Sequence, residues 1–598
     1  LDQFGLIKVL RGRDDSCLKI NDHRPFVLHN PLRQGNESRI NIAQKQQNPD
    51  GQKAHGKKMA RPHDQGKTTN EKKATLDPTH LKPSSYHPRT MKVILSILTL
   101  GVLPVLGELK LPAFFSDGMV LQRDSSAPIW GWADPNAAVK VTFAGQHQTA
   151  KADAQGNWKV EFTGLKANDK GVNLSIETPG STKVIQDVLV GEVWLASGQS
   201  NMEWTVSRSQ GSDTEIPSAQ DELLRVYVSG NVAIDTPQKD FAGSWKSTAP
   251  ANTGAFTAVG YYFGKNLRKE LNVPVGIIEC AWGGKSVQAF TSHEAIVALP
   301  EAKNLVEQKA EALAKWDEAK VKANFEKAKA AYEDKMAEWK KEKKGRAPRE
   351  PRMPSSPAVD PGMHSTIYNG IIAPLVGYGV RGAIWYQGES NANPASSMNY
   401  EELLGCMVAD WRKRWGYDLS FYWVQLANFR KPTDQPGVES HWVTVQDEMR
   451  RALKSIPKSG MAVINEIGAA DDIHPQNKHD VGARLARWAL ARDYGQKDLV
   501  VSGPLYSGFQ KKGAQLVISF DYAKGLASRN GEPLQRFEIA GEDGQWKWAD
   551  AKIEGESIVL SSAEVKSPTK ARYAWAENPT GASLINAEGL PASCFTTE

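Results

Sequence analysis

The chain has 598 residues, too many for one hydrophobic core and enough for three or four domains of ~150 residues. Hydrophobic residues at 40% and charged residues at 24% describe a globular protein, and the net charge of +6 resides entirely in the first ninety positions. Positions 1–90 hold 17 Lys/Arg against 9 Asp/Glu while the rest hold 57 against 59, so the folded body is no basic polyanion binder and nucleic acid is excluded as the leading partner.

Positions 1–90 are polar, rich in Gln, Asn, His and Lys, and have no sustained hydrophobic period; they are expected to be disordered and to carry no chemistry. At Met91-Lys92 a basic start leads into an almost wholly apolar run, Val93 to Leu106, and then a small residue, Gly107. That pattern predicts a secretory signal peptide over 91–107, and a run of ~14 residues falls short of the about 20 that a membrane span needs. A signal peptide acts at the amino terminus of a chain. Translation is therefore expected to begin at Met91, with 1–90 a spurious upstream extension, and the mature chain is expected to be secreted or periplasmic with no membrane anchor. Its three cysteines, Cys280, Cys406 and Cys594, are widely spaced, show no metal-ligand pattern and select no disulfide pair.

From 108 to 187, short runs such as Pro128-Ile129-Trp130-Gly131-Trp132 alternate with turns such as Asp134-Pro135-Asn136, which predicts a small β-sandwich. Between 188 and 498 the rhythm changes to strand, loop and amphipathic helix. Strands are predicted over 193–196, 275–281, 379–386, 419–426 and 461–467, and helices over 259–271, 368–375, 400–415, 443–453 and 480–490. Such alternation argues for an α/β domain with a parallel sheet covered on both faces. Within it, residues 301–350 contain 25 charged residues, dense in Lys, Glu and Ala, and predict a solvated helical insertion at about 297–352. After 498 the strands and turns return, as at Asn530-Gly531, and predict a second β-sandwich over 499–598.

Ligands of open parallel sheets bind beyond the carboxyl ends of the strands. Four predicted strands end there in polar or glycine-rich segments: Ser197-Gly198-Gln199-Ser200-Asn201-Met202, Trp282-Gly283-Gly284-Lys285, Gln387-Gly388-Glu389-Ser390-Asn391 and Asp471-Asp472-Ile473-His474-Pro475. A serine needs a positioned base to act as a nucleophile near neutral pH. His474 supplies one, with Asp471 three residues earlier expected to take the Nδ1–H and leave Nε2 facing Ser200. Donors for a tetrahedral oxyanion are expected from the backbone N–H groups of Ser200, Gly283 and Gly284 and from the Gln387 amide. The chain order Ser, Asp, His matches α/β hydrolases, but the G-x-S-x-G elbow is missing.

These blocks, with Val424-Gln425-Leu426-Ala427-Asn428-Phe429 and Asn477-Lys478 beside them, resemble the sialate O-acetylesterase family of the SGNH/GDSL hydrolase superfamily, from about Leu109 to the carboxyl terminus. The resemblance implies an SGNH-type, flavodoxin-like hydrolase domain between the two sandwiches. It also implies a serine esterase that removes O-acetyl groups from sugars through an acetyl-enzyme, without metal or organic cofactor. Two positions stay open. The family's oxyanion amide falls on Gln387 or Asn391, with Gln387 favoured, and the acid falls on Asp471, Asp472 or Glu389. The expected partner is an acetylated sugar or glycan, with sialic acid first and acetylated xylan or another polysaccharide second; the other class of reading is a non-catalytic carbohydrate-binding protein on a hydrolase scaffold.

Overall fold

The structure, a computed structural model, describes residues 108–598; the expected extension over 1–90 and signal peptide over 91–107 lie outside the described residues. The fold is mixed α/β around a largely parallel sheet. Its central strands, numbered along the chain, are β1 (Ser181–Gly198), β2 (Asp221–Ser229), β3 (Gly243–Thr248), β4 (Val275–Ala281), β5 (Gly382–Tyr386), β6 (Ser420–Val424) and β7 (Ser459–Ala462). Across the sheet they lie in the order β7-β6-β5-β1-β4-β2-β3, and every neighbouring pair is parallel except β2 with β3. On one side of β1 the chain lays down β2 and β3 and then inserts β4 between β1 and β2; it crosses to the other side with β5 and builds outward through β6 and β7. β1 is therefore the switch point, where such sheets open a crevice.

Four helices cover the sheet: α1 (Ala258–Leu271), α2 (Tyr400–Trp415), α3 (His441–Ser455) and α4 (Lys478–Arg492). Strand side chains alternate between faces, and the buried aromatics sort accordingly. Trp194 and Tyr422 meet Phe263 of α1 and Trp488 of α4, while Trp385 and Trp423 meet Trp411 of α2 and the Met449 carbonyl of α3. Burying each such side chain stabilises the fold by roughly 1.5–3 kcal/mol. The five strands and five helical stretches anticipated between 188 and 498 are all present, the one over 368–375 as short π and 3₁₀ turns. β2 and the edge strand β3 were not anticipated.

β1 is 18 residues long and serves two sheets. Its first half pairs antiparallel with Val172–Thr178, which continues through Ala138–Phe143 to Gln146–Lys151. Leu189–Gly191 then pairs in parallel with Val120–Gln122, and from Glu192 onward β1 pairs with β4. The boundary expected after Asp187 thus falls inside one continuous strand, and the amino-terminal apolar residues, among them Phe114, Val141 and Ile176, belong to the same core as the sheet. At the changeover, the fully buried Glu192 carboxylate is held by Arg123 at 2.5 Å, Arg381 at 3.0 Å, Gln122 at 3.0 Å and the Tyr494 hydroxyl at 2.9 Å.

After 498 the strands form two four-stranded antiparallel sheets, one built on Leu505–Lys512 and Gln515–Asp521, the other on Phe537–Ala540 and Lys570–Tyr573. They enclose a second core that includes Leu516, Ile518, Phe537, Ile539 and Ile558, joined by Val443 of α3. The charged insertion is helical, Lys303–Ala314 followed by Glu318–Glu342, and the longer helix buries none of its residues. Cys280, Cys406 and Cys594 are free thiols. Among the described residues no helix is long and apolar enough to cross a membrane.

Candidate active site

The parallel register brings the loops together. Gly198 at the end of β1 is level with Ala281 of β4 on one side and Tyr386 of β5 on the other, so the three following turns emerge side by side. The turns are laced to one another: Gln199 N–H donates to Tyr386 O at 2.9 Å and Trp282 N–H to Gly198 O at 3.0 Å. Gly198 adopts φ +139°, and a Cβ there would lie 2.2 Å from the Tyr386 carbonyl oxygen, so only glycine permits this approach. At Gly283 a Cβ would meet the Glu203 carboxylate at 2.8 Å and Ser200 Cβ at 3.2 Å, which sets the second turn directly against the serine.

Ser200 opens a single helical turn after β1, and its Oγ lies 2.9 Å from Nε2 of His474, 274 positions later. The loop after β7 carries the histidine there; it is pinned by Asn428, whose Oδ1 accepts from Gly468 N–H at 2.7 Å, and ends at Asn477, which caps α4 by accepting from Asp480 N–H at 3.1 Å. The His474 ring stacks on Trp204, with centroids 5.0 Å apart and planes 19° from parallel. Burial lowers the pKa of His474; the neighbouring Asp472 carboxylate opposes that shift, and the Lys478 and Arg208 cations add to it. The imidazole is thus held neutral and ready to accept a proton near pH 7.

Asp471 is not the partner of this histidine. It is exposed and makes no ion pair with the ring, whereas Asp472 Oδ1 lies 3.4 Å from His474 Nδ1. The cause is local: the same oxygen accepts the His474 backbone N–H at 2.9 Å, an Asx turn that folds the carboxylate back under its own loop. Two residues of separation suit that turn, and three do not.

The oxyanion donors also differ from expectation. The Gln387 amide nitrogen, fully buried, faces Gln199 Oε1 at 3.2 Å, Lys285 O at 3.2 Å and Asn391 Oδ1 at 2.8 Å, which leaves neither hydrogen for a substrate. Asn391, also fully buried, donates to Gln288 Oε1 at 3.1 Å and accepts from Val287 N–H at 3.1 Å. Both amides fasten neighbouring loops to one another. Gly283 N–H is taken by Glu203 Oε2 at 2.9 Å, while the N–H groups of Ser200 and Gly284 have no acceptor among the described residues. Glu389, the third candidate acid, is buried away from Nδ1 and accepts from Asn201 Nδ2 at 2.7 Å. Asn201 and Lys478 stand in the blocks quoted above, but nothing in their spacing marked them as a joined pair; Trp204, the ring beneath the base, lies outside those blocks. Among the described residues no group of three or more His, Cys, Asp or Glu side chains is arranged to hold a metal ion.

With this geometry in hand, comparison with known proteins gives a consistent picture. A family model described as carbohydrate esterase, sialic acid-specific acetylesterase, matches residues 190–348 and 362–491, which include all four loops. The sialate O-acetylesterase of Rattus norvegicus is 27% identical over 528 residues, 81% of this chain and 93% of that protein. That of Mus musculus is 26% identical over 505 residues, 78% and 89% respectively. Among solved structures, a carbohydrate acetylesterase from Xanthomonas citri superposes with a TM-score of 0.69 at 36% identity, covering 82% of this chain and 100% of that one.

Proposed function

The chain belongs to the carbohydrate esterase family of sialic acid-specific acetylesterases and is an ester hydrolase, and from that premise we propose that it removes O-acetyl groups from sugars by acyl transfer through Ser200. The observation that carries the mechanism is the 2.9 Å contact between Ser200 Oγ and His474 Nε2. Oγ attacks the acetyl carbonyl while His474 takes its proton; Asp472 keeps Nδ1 protonated and steadies the imidazolium. The carbonyl oxygen becomes an oxyanion, met by the free N–H groups of Ser200 and Gly284. As the C–O bond to the sugar breaks, His474 returns the proton to the departing hydroxyl and leaves acetyl-Ser200. A water then attacks the acyl carbon with His474 again as base, releasing acetate and restoring the serine.

The SGNH-type reading of the sheet, with its nucleophile just after the first central strand, agrees with this chemistry, and the predicted signal peptide makes the enzyme an exported one. Sialic acid O-acetyl groups are the proposed substrates. The test is acetate release by the purified chain from a panel of O-acetylated sialic acids, acetylated xylan and p-nitrophenyl acetate. Release from the sialic acids that Ser200→Ala abolishes is the expected result; release from xylan alone reassigns the substrate. Sugar binding without turnover of any ester overturns the enzymatic mechanism.

A further inference from the structure

Beneath Ser200 and His474 lies a row of polar side chains that the acyl transfer itself does not use. Glu389, on the turn after β5, accepts through Oε1 from Asn201 Nδ2, and its buried Oε2 has no partner. Asn201, 1% exposed and next to the nucleophile, also donates from Nδ2 to the Ile473 carbonyl at 3.0 Å. Its Oδ1 accepts from the ammonium of Lys478, which is fully buried at the start of α4. That ammonium lies 5.6 Å from the ring centroid of Trp204, the platform under His474, and 5.3 Å from that of Tyr386.

The charges at the two ends fix the sense of the amide between them. Flipped, Asn201 would set its NH₂ group against an ammonium and its carbonyl against a carboxylate, losing both bonds. Only in the observed sense does its second N–H reach Ile473, whose carbonyl belongs to the peptide leading into His474. Three separate elements, the turns after β1 and β5 and the first residue of α4, therefore converge on the residue beside the base. Stability alone is a poor account of the arrangement, because buried ion pairs are commonly replaceable by apolar residues at little or no cost in stability.

We propose that Glu389, Asn201 and Lys478 are positioning residues that hold the His474 loop in register with Ser200, with the Lys478 ammonium set against the Trp204 ring on which the imidazole stacks. The inference rests on the Ser200/His474 reading above. The groups acting on the imidazole are Asp472, which favours its protonated form, and Lys478 and Arg208, which oppose it; Glu389 faces Lys478 across Asn201. Burial pushes the Lys478 pKa down to about 7 and the Glu389 pKa up, each charge opposing the other's shift, so Lys478 carries its charge across the acid limb of the pH profile.

The test uses the full chain and p-nitrophenyl acetate, with pH–rate profiles and thermal unfolding for wild type, Asn201→Asp, Lys478→Met, the double variant Glu389→Gln/Lys478→Met, and Ser200→Ala. Asn201→Asp keeps the shape but loses the donor to Ile473. Its kcat is expected to fall by about 10²-fold or more with KM within about three-fold, since a displaced general base forfeits most of its contribution. In Lys478→Met the acid limb of kcat/KM is expected to move to higher pH by about one unit, because loss of a nearby cation lets the imidazolium persist. The double variant is expected to recover thermal stability while kcat stays low. A folded Asn201→Asp enzyme with near-wild-type kcat, an unmoved acid limb in Lys478→Met, or a double variant that recovers kcat together with stability would overturn the proposal. If Asn201→Asp does not fold, the other two variants decide. Turnover that survives Ser200→Ala sinks the underlying mechanism, an outcome distinct from any of these.

Discussion

Ser200 and His474 meet across most of the hydrolase sequence, and the meeting was legible because each stands in a polar block that follows an apolar strand. Replacing either with alanine is expected to lower kcat on p-nitrophenyl acetate by on the order of 10⁴-fold or more, with the protein still folded by circular dichroism. The acid was less legible. Asp471 and Asp472 are adjacent, and the choice between them depends on whether the loop forms an Asx turn, a backbone detail that spacing does not specify. Asp472→Asn is expected to reduce kcat by about 10²-fold or more while Asp471→Asn stays within about two-fold; the reverse order in the same assay would restore the sequence-based choice. The pH dependence follows from His474, whose pKa burial lowers from the usual value of about 6.5. Because the neutral ring is the base, kcat/KM is expected to be level above neutrality and to fall as pH drops through that lowered value. A half-point above pH 7 in the wild-type profile would contradict it. Gln387 was misjudged for a related reason: an amide at a strand end reads as a donor to substrate, and only packing reveals that three neighbours already share it.

The strand–helix alternation between 188 and 498 was read correctly because a sheet covered on both faces makes its strands continuously apolar. β2 and β3 escaped because polar and charged residues interrupt them, Asp221, Glu222 and Arg225 in the first and Lys246 among Ser and Thr in the second, so neither shows a continuous apolar run. β1 was truncated in the reading for the opposite reason. Its first half is half-exposed and polar, its second half wholly buried, and a change of environment along one strand looks like a boundary. The joint is where Glu192 sits. With two arginines and a tyrosine hydroxyl turned toward one buried carboxylate, Glu192→Ala strands those cations, and the expected loss is about 3–5 kcal/mol in denaturant unfolding. A loss below about 1 kcal/mol would mean that water replaces the carboxylate without strain.

Across the chain, the elements divide by how firmly they are tied to the site. The insertion hangs by its first helix, where buried Lys309 pairs with Asp235 at 2.6 Å, whereas Glu318–Glu342 buries nothing. Replacing 318–342 with a short Gly/Ser linker is expected to leave kcat and KM on p-nitrophenyl acetate within about two-fold of wild type. A larger loss would show that the helix screens or reads the substrate. A chain beginning at residue 188, by contrast, cuts β1 in two and removes part of the shared core, and is expected to be insoluble or unfolded.

The unbroken run of β1 has a mechanical meaning. A strand that is clamped on both edges over its second half, and rooted in another sheet over its first, behaves as a beam fixed along its length, with Ser200 mounted at its free end. Amides of Val193–Gly198 should therefore exchange with deuterium only when the whole body opens, and no flexing of one lobe against another can widen the cleft from below. Accommodation of differently shaped acetylated sugars is left to the loops above the beam, while the point of attack keeps its place.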